Sequence, residues 1–403
     1  MPAGQKPLRI AIFSDSCLPI LNGVSVSIDA LVRELRRQGH SVHIFTASHF
    51  RHKDSDPNSY RFPATETPWT KGYPLAFPPF YPMVHFFRKH KFDIVHTHTP
   101  WTIGFVGMRW AQSHGIPIVS TYHTHYDKYT HYIPFVPKRY LRYKIAKHTN
   151  YYYNRVAHVI TPSDASKRWL LRHSIHTPIS VIPTGTPSRR PLTREGVREQ
   201  LGIDPKKRIL LYVGRIAKEK NMEVLFHAAA KIFETHKDAE FWLVGDGPYR
   251  DSAVELARNL NMGDRTNFVG FVERQEVDKF YACADIFLFG SMTETQGLVV
   301  SEAMSYGLPC VVVTGGGASA SIIDGENGYI VRNDADEIRH HVNQMLTDQD
   351  LYERISKASK LTVQGLTIES MTKAVLNVYA QVLHEHAVHG TESPDDGDFL
   401  YRK

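Results

Sequence analysis

The chain has 403 residues, 42% of them hydrophobic and 22% charged, which are the proportions of a globular protein with room for two domains. Its formal charge of +7 favours an anionic partner: nucleotide, nucleic acid or acidic lipid. Cys17, Cys283 and Cys310 are far apart and odd in number, which excludes a disulfide framework and any thiolate metal spacing and points to a reducing compartment.

In chain order, residues 1–7 lack the apolar core of a signal peptide. No apolar run approaches the roughly 20 residues that cross a bilayer, so the expectation is a soluble or surface-lying protein. Residues 8–13 read as a buried strand. A loop through Asn22-Gly23 leads into a helix over 24–38 that Gly39 stops. Strands follow at 41–46, 94–97, 116–121, 157–161 and 179–183 with helical stretches between, the alternation of a doubly wound parallel sheet. Residues 183–191 are rich in Pro and Gly and read as a linker. A second alternation places strands at 208–213, 240–244, 267–269, 286–289 and 310–313, and helices at 222–235 and 249–260. Helices fill 337–387, and the polar stretch 388–403 reads as a disordered tail. The predicted architecture is α/β: two Rossmann-like domains, 1–186 and 187–366, facing each other across a cleft, with ligands beyond the carboxyl ends of the strands.

The richest stretch is Thr293-Glu294-Thr295-Gln296-Gly297-Leu298-Val299-Val300-Ser301-Glu302. A helix beginning near Gly297 offers open N–H groups and a positive dipole end to a phosphate. Glu294 beside that end can hold sugar hydroxyls, and Glu302, about two turns deeper, can reach a ribose. A surface helix with two ordinary glutamates is the competing reading. Arg215 and Lys220 follow the strand at 208–213, where they can neutralise a diphosphate or belong to a solvated charged loop. Gly23 opens another helix start, and Gly315-Gly316-Gly317 is either a flexible backbone site or a plain turn. The strand-end histidines His96, His98, His123 and His125 admit three readings: a metal site, though their spacings lack a closed ligand set, a catalytic base, or the lining of a sugar site, which is preferred and for which His123 is the best placed. The others fit satisfied histidines near strand ends. Asp54-Ser55-Asp56 spells DxD but follows no apolar strand and reads as a solvated turn. No metal site is expected.

Lys138, Arg139, Arg142, Lys144 and Lys147 lie in an acid-free stretch interleaved with tyrosines, a pattern suited to anionic lipid or to nucleic acid. A narrow stripe of Leu141, Ile145 and Tyr152 implies that some of these rings pack on the sheet instead. Phe77, Phe80 and Tyr81 belong to an aromatic, proline-rich segment that reads as an apolar lip for an acceptor or as a packed loop.

Taken together, Asn22-Gly23, Gly214-Arg215 with Lys220, Val244-Gly245-Asp246-Gly247-Pro248, Phe268-Val269-Gly270-Phe271 and the Glu294/Glu302 pair resemble the retaining, nucleotide-sugar-dependent glycosyltransferases of the GT-B fold, family 4. Within that family, Thr121-Tyr122-His123-Thr124-His125-Tyr126 and the stretch from Thr293 to Val299 are similar to bacterial diacylglycerol glucosyltransferases. The resemblance implies catalytic work for Arg215, Lys220, Glu294 and His123. It implies donor binding by Gly23, Val272, Gln296, Gly297, Leu298, Val299 and Glu302. It also implies that a helix at 367–385 crosses back onto the first domain. The implied reaction moves glucose from UDP-glucose to diacylglycerol, with retention, at the cytoplasmic face of a membrane. The implied partners are a UDP-sugar, a lipid acceptor and an anionic surface, not nucleic acid. No cofactor is obligatory, and a divalent cation is at most stimulatory. Two departures stand out: Gln296 where many relatives carry Phe, and Ser319-Ala320 where many carry Pro-Glu. A GDP-mannose-dependent mannosyltransferase acting on a phosphoinositide lipid or soluble glycan is one alternative. A non-catalytic basic protein of membranes or nucleic acid is another.

Overall fold

The computed structural model describes residues 6–49, 52, 55–65, 75–77, 90–132, 136–187 and 191–389. They fall into two compact units. The first runs to Gly185 and takes in the chain again from Ile368; the second is Thr186–Thr367.

The first unit carries β1 (Arg9–Phe13), β2 (Ser41–Ala47), β3 (Ser59–Phe62), β4 (Ala64–Thr65), β5 (Leu75–Ala76), β6 (Ile94–Thr97), β7 (Ile118–Thr121), β8 (His158–Thr161) and β9 (Ile179–Val181). Seven of these form one parallel sheet in the order β3-β2-β1-β6-β7-β8-β9, and β4 pairs antiparallel with β5. β6 is buried at every position, His96 and Thr97 included, and β1 from Ile10 to Phe13, because both sheet faces are covered. One face packs Phe13, Phe45, Trp110, Tyr152 and Tyr153. The other packs the helix Gly23–Arg37 together with Met371, Val375, Leu376, Tyr379 and Val382 of the helix Ile368–His389. That helix is continuous through Val388 and His389, two residues expected to belong to the polar tail. Residues 390–403 lie outside the described residues.

The second unit carries β10 (Arg208–Val213), β11 (Ala239–Val244), β12 (Thr266–Gly270), β13 (Ile286–Phe289), β14 (Cys310–Val313) and β15 (Gly328–Val331), all parallel, in the order β12-β11-β10-β13-β14-β15. Each sheet has one switch point, where strands on either side run off in opposite directions: between β1 and β6, and between β10 and β13. Crevices at the carboxyl ends of such strands are where open α/β sheets take ligands. Each unit by itself is a Rossmann-like α/β domain.

The three cysteines are free and buried, and burial raises their thiols above the ordinary 9.0, Cys17 to about 11 and Cys283 to about 12.

Candidate active site

The best-defined site of the second unit lies at its switch point. β10 ends at Val213. The turn after it is tied by Tyr212 OH, which donates to Arg215 O at 2.9 Å and leaves the Arg215 side chain exposed. Asn221 then adopts a left-handed conformation (φ 56°), and its amide donates to Gly290 O at 3.2 Å and Asn333 Oδ1 at 2.8 Å. These bonds fasten the Lys220 segment against the end of β13. Lys220 Nζ there donates to Glu294 Oε1, with side-chain exposures of 16% and 22%. Ser291 Oγ donates to the same oxygen at 3.4 Å. Two residues 74 positions apart therefore meet as a partly buried ion pair at the carboxyl ends of adjacent central strands.

The helix after Glu294 is Leu298–Ser305, preceded by Gly297 at φ 75°. A Cβ on Gly297 would stand 2.8 Å from Ala318 Cα, so the backbone there closely approaches the chain's own next loop. That loop also braces Glu294, whose carbonyl accepts from Gly317 N at 2.6 Å; the glycine run is therefore a structural abutment and not a plain turn. Gln296 is buried. Among the described residues the N–H groups of Leu298 and Val299 have no acceptor, as expected for the first turn of a helix.

Glu302 sits in that helix at 2% exposure, with both oxygens engaged: Arg274 Nη2 donates to Oε1, and Tyr281 OH donates to Oε2 at 3.0 Å. Sequence reasoning did not single out Arg274 or Tyr281. The available signal was a basic residue two places after Val272. Val272 itself packs against the core.

In the first unit, Gly23 is exposed at the start of its helix. The cap is closed on itself, with Asn22 Oδ1 accepting from Ser25 N and Ser25 Oγ accepting from Asn22 N, both at 3.0 Å. His96 is satisfied by Tyr379 OH and Thr121 Oγ1, both at 2.7 Å. His125 lies 3.2 Å from Tyr122 OH and 3.3 Å from Ser166 Oγ. His123 is half-buried, and its Nε2 lies 2.9 Å from His98 Nδ1. Burial, with His123 nearby, lowers His96 to about 3, and burial lowers His123 to about 4, so both imidazoles are neutral at physiological pH.

The helix Lys138–Tyr153 divides along its length. Lys138, Arg139, Arg142, Lys144 and Lys147 are exposed, as are Tyr140 (54%) and Tyr143 (61%). Ile145, Thr149, Tyr152 and Tyr153 are buried, whereas Leu141, expected on the packed stripe, is only half-buried. Phe77 is exposed; Phe80 and Tyr81 lie outside the described residues. Asp56 pairs with Arg36 at 2.9 Å, and Asp54 lies outside the described residues. Among the described residues no group of three His, Cys, Asp or Glu side chains is arranged to hold a metal, and no helix is long and apolar enough to cross a membrane.

Two parallel-sheet units, with a Lys–Glu pair and an open helix start at one switch point, are the frame of a nucleotide-sugar transferase. The chain matches the models for "Glycosyltransferase Family 4" over residues 21–190 and "Glycosyl transferases group 1" over 193–362. It is similar to the alpha-monoglucosyldiacylglycerol synthase of Acholeplasma laidlawii, at 30% identity over 94% of this chain and 98% of that protein. It is also similar to the synthase of the same name from Streptococcus pneumoniae, at 32% over 75% of this chain and 70% of that one. The chain therefore belongs to glycosyltransferase family 4 and is a nucleotide-sugar-dependent hexosyltransferase. In fold it is similar to the sucrose-phosphate synthase of Thermosynechococcus elongatus (TM-score 0.75, 22% identity, 94% of this chain and 100% of that one). Anabaena HepE, solved with UDP and glucose, is a second such neighbour (TM-score 0.72, 18% identity, 93% and 99%).

Proposed function

We propose that this protein transfers glucose from UDP-glucose to diacylglycerol, with retention, working as a peripheral protein on the inner face of the cell membrane. The observation that carries the reading is the Lys220–Glu294 pair beside the open amides of Leu298 and Val299. Lys220 exchanges Glu294 for the donor's diphosphate, and Arg215 and the helix start add positive charge. Glu294, released from Lys220, accepts from hydroxyls of the transferred sugar. The oxygens of Glu302 keep lone pairs for a ribose hydroxyl while Arg274 and Tyr281 hold the carboxylate in place. In the second unit Gln296 binds the donor and the backbone at Val272 contacts the base; in the first, His123 meets a sugar and Gly23 offers its helix start to donor oxygens.

The reaction is a front-face displacement. The bond from the anomeric carbon to the phosphate oxygen breaks, the acceptor oxygen bonds to that carbon from the same side, and the departing phosphate oxygen takes the acceptor's proton. The protein contributes position and charge. Because cationic side chains and amides take up the phosphate charge, no metal is obligatory. The lipid assignment is supported by the two glucosyldiacylglycerol synthases among the relatives and by the exposed Lys138, Arg139, Arg142, Lys144 and Lys147 around Tyr140 and Tyr143. Phe77 extends the apolar contact.

A panel of UDP-glucose, UDP-galactose and GDP-mannose, with vesicles of anionic lipid with and without diacylglycerol and with EDTA present, tests the reading. The expected outcome is nucleotide release only with UDP-glucose and diacylglycerol, yielding an α-linked product. A relative from Corynebacterium glutamicum is a GDP-mannose-dependent alpha-mannosyltransferase, so turnover of GDP-mannose alone would overturn the donor assignment.

A further inference from the structure

The strand ends of the first unit hold a chain of three histidines that begins on the C-terminal helix. Tyr379 OH lies 2.7 Å from His96 Nδ1. The His96 ring packs 4.1 Å from that of His98, centroid to centroid. His98 Nδ1 lies 2.9 Å from His123 Nε2, with the two ring planes 19° apart. The three rings do not share the same hydrogen-bonding state. Both nitrogens of His96 are engaged, the second by Thr121 Oγ1. His98 is 2% exposed, and its Nε2 meets no hydrogen-bond partner among the described residues.

That orphan nitrogen decides where the protons sit. One proton lies between His98 Nδ1 and His123 Nε2. If it belonged to His123, the remaining proton of neutral His98 would be on Nε2, a buried N–H with nothing to receive it. If it belongs to His98, Nε2 keeps only a lone pair. Buried N–H groups without an acceptor are rarer than under-used acceptors, so the second arrangement wins. A doubly protonated His98 would place a cation in a dry site beside two other imidazoles. Burial and those neighbours hold it neutral. His98 therefore donates from Nδ1. His123, accepting at Nε2 and itself neutral, carries its proton on Nδ1.

We propose that His98 is a positioning residue that fixes His123 as the neutral Nδ1–H tautomer, so that His123 meets the substrate as a hydrogen-bond donor to an oxygen and not as a base. The inference rests on the reading of His123 as a substrate-facing group. It adds a direction to that contact: His123 gives a hydrogen bond to a sugar or phosphate oxygen and takes no proton from the acceptor hydroxyl. That proton then leaves with the departing phosphate oxygen.

The direct test is a two-bond proton–nitrogen NMR spectrum of the full chain labelled with ¹⁵N-histidine, assigned with His98→Asn and His123→Asn. The expected spectrum has His123 protonated on Nδ1 and bare on Nε2. A proton on His123 Nε2 would overturn the proposal whatever the activity. The kinetic arm uses the same reaction with UDP-glucose and diacylglycerol vesicles. His98→Asn sets an amide nitrogen where Nδ1 stood and should stay within about fivefold of the native kcat, whereas His98→Leu should lose about 100-fold in kcat with little change in donor KM, the scale of one lost preorganised donor. Equal losses in two folded variants would mean that His98 only fills space. Full activity in His123→Asn would sink the substrate-facing reading of His123, a failure separate from the tautomer result. If His98→Leu does not fold, the native spectrum still decides.

Discussion

Replacing Lys220 with Met keeps the length and apolar stem of the side chain and deletes one charge. At about 4 Å and an effective dielectric of about 20, an ammonium stabilises a unit of departing phosphate charge by roughly 4 kcal/mol. Removal of one preorganised group from a catalytic site costs about 10²–10³ in kcat, or roughly 3–4 kcal/mol, so the two routes agree. The cost to folding is smaller. The pair is partly buried, with exposures of 16% and 22%, and its loss should destabilise by about 1 kcal/mol, lowering Tm by about 2–4 °C in a domain of this size. Initial rates of UDP release and a calorimetric scan on the same preparation separate the two effects. Lys220→Arg keeps the charge but spreads it over a planar fork, and it should recover part of the loss. A Lys220→Met enzyme within threefold of the native kcat would refute the idea that this cation carries the leaving group's charge.

Stability should fall with acid. Folded His96 titrates at about 3 and His123 at about 4, both below the ordinary 6.5, so the unfolded chain takes up protons below pH 6.5 that the folded chain refuses. Stability is complete above that pH and is lost as pH falls toward the folded values, by about 2 kcal/mol per group at pH 5. Urea midpoints that match at pH 7 and pH 5 would contradict this. Gly297→Ala should cost about 1–3 kcal/mol, read by denaturant titration, because φ is 75° and the new methyl meets Ala318. Changing both Arg139 and Arg142 to Gln should weaken co-sedimentation with anionic vesicles by roughly 30-fold, from about 1 kcal/mol per charge, with no effect on neutral vesicles.

Much of this frame was legible from residue pattern. The apolar runs of β1, β10 and β13 have no polar alternation because both faces of a doubly wound sheet are covered, and they show plainly in a linear reading. The helix Leu298–Ser305 begins where the sequence placed it, directly after the left-handed Gly297. What stayed hidden depends on distant pairing. Glu302 looked available for a ligand because nothing local reveals that Arg274 and Tyr281, 28 and 21 positions away, arrive on its two oxygens. β15, only four residues opening with Gly328, has too little periodicity to stand out from the loop around it. The histidines were visible as a cluster. The bond that saturates the first ring comes from a tyrosine almost 300 positions downstream of His96, and the orphan nitrogen of His98 shows only in the packed structure.

The helix Ile368–His389 has a consequence for the making of the protein. It buries Val375, Leu376 and Tyr379 against strands laid down at the very start of the chain, after the whole of the second unit has been synthesised. On a ribosome adding about 5–20 residues per second, the first sheet waits many seconds with one greasy flank uncovered. During that wait the flank must be shielded by a chaperone or by transient self-contacts, and a premature stop before Ile368 would yield a sticky fragment instead of a working half.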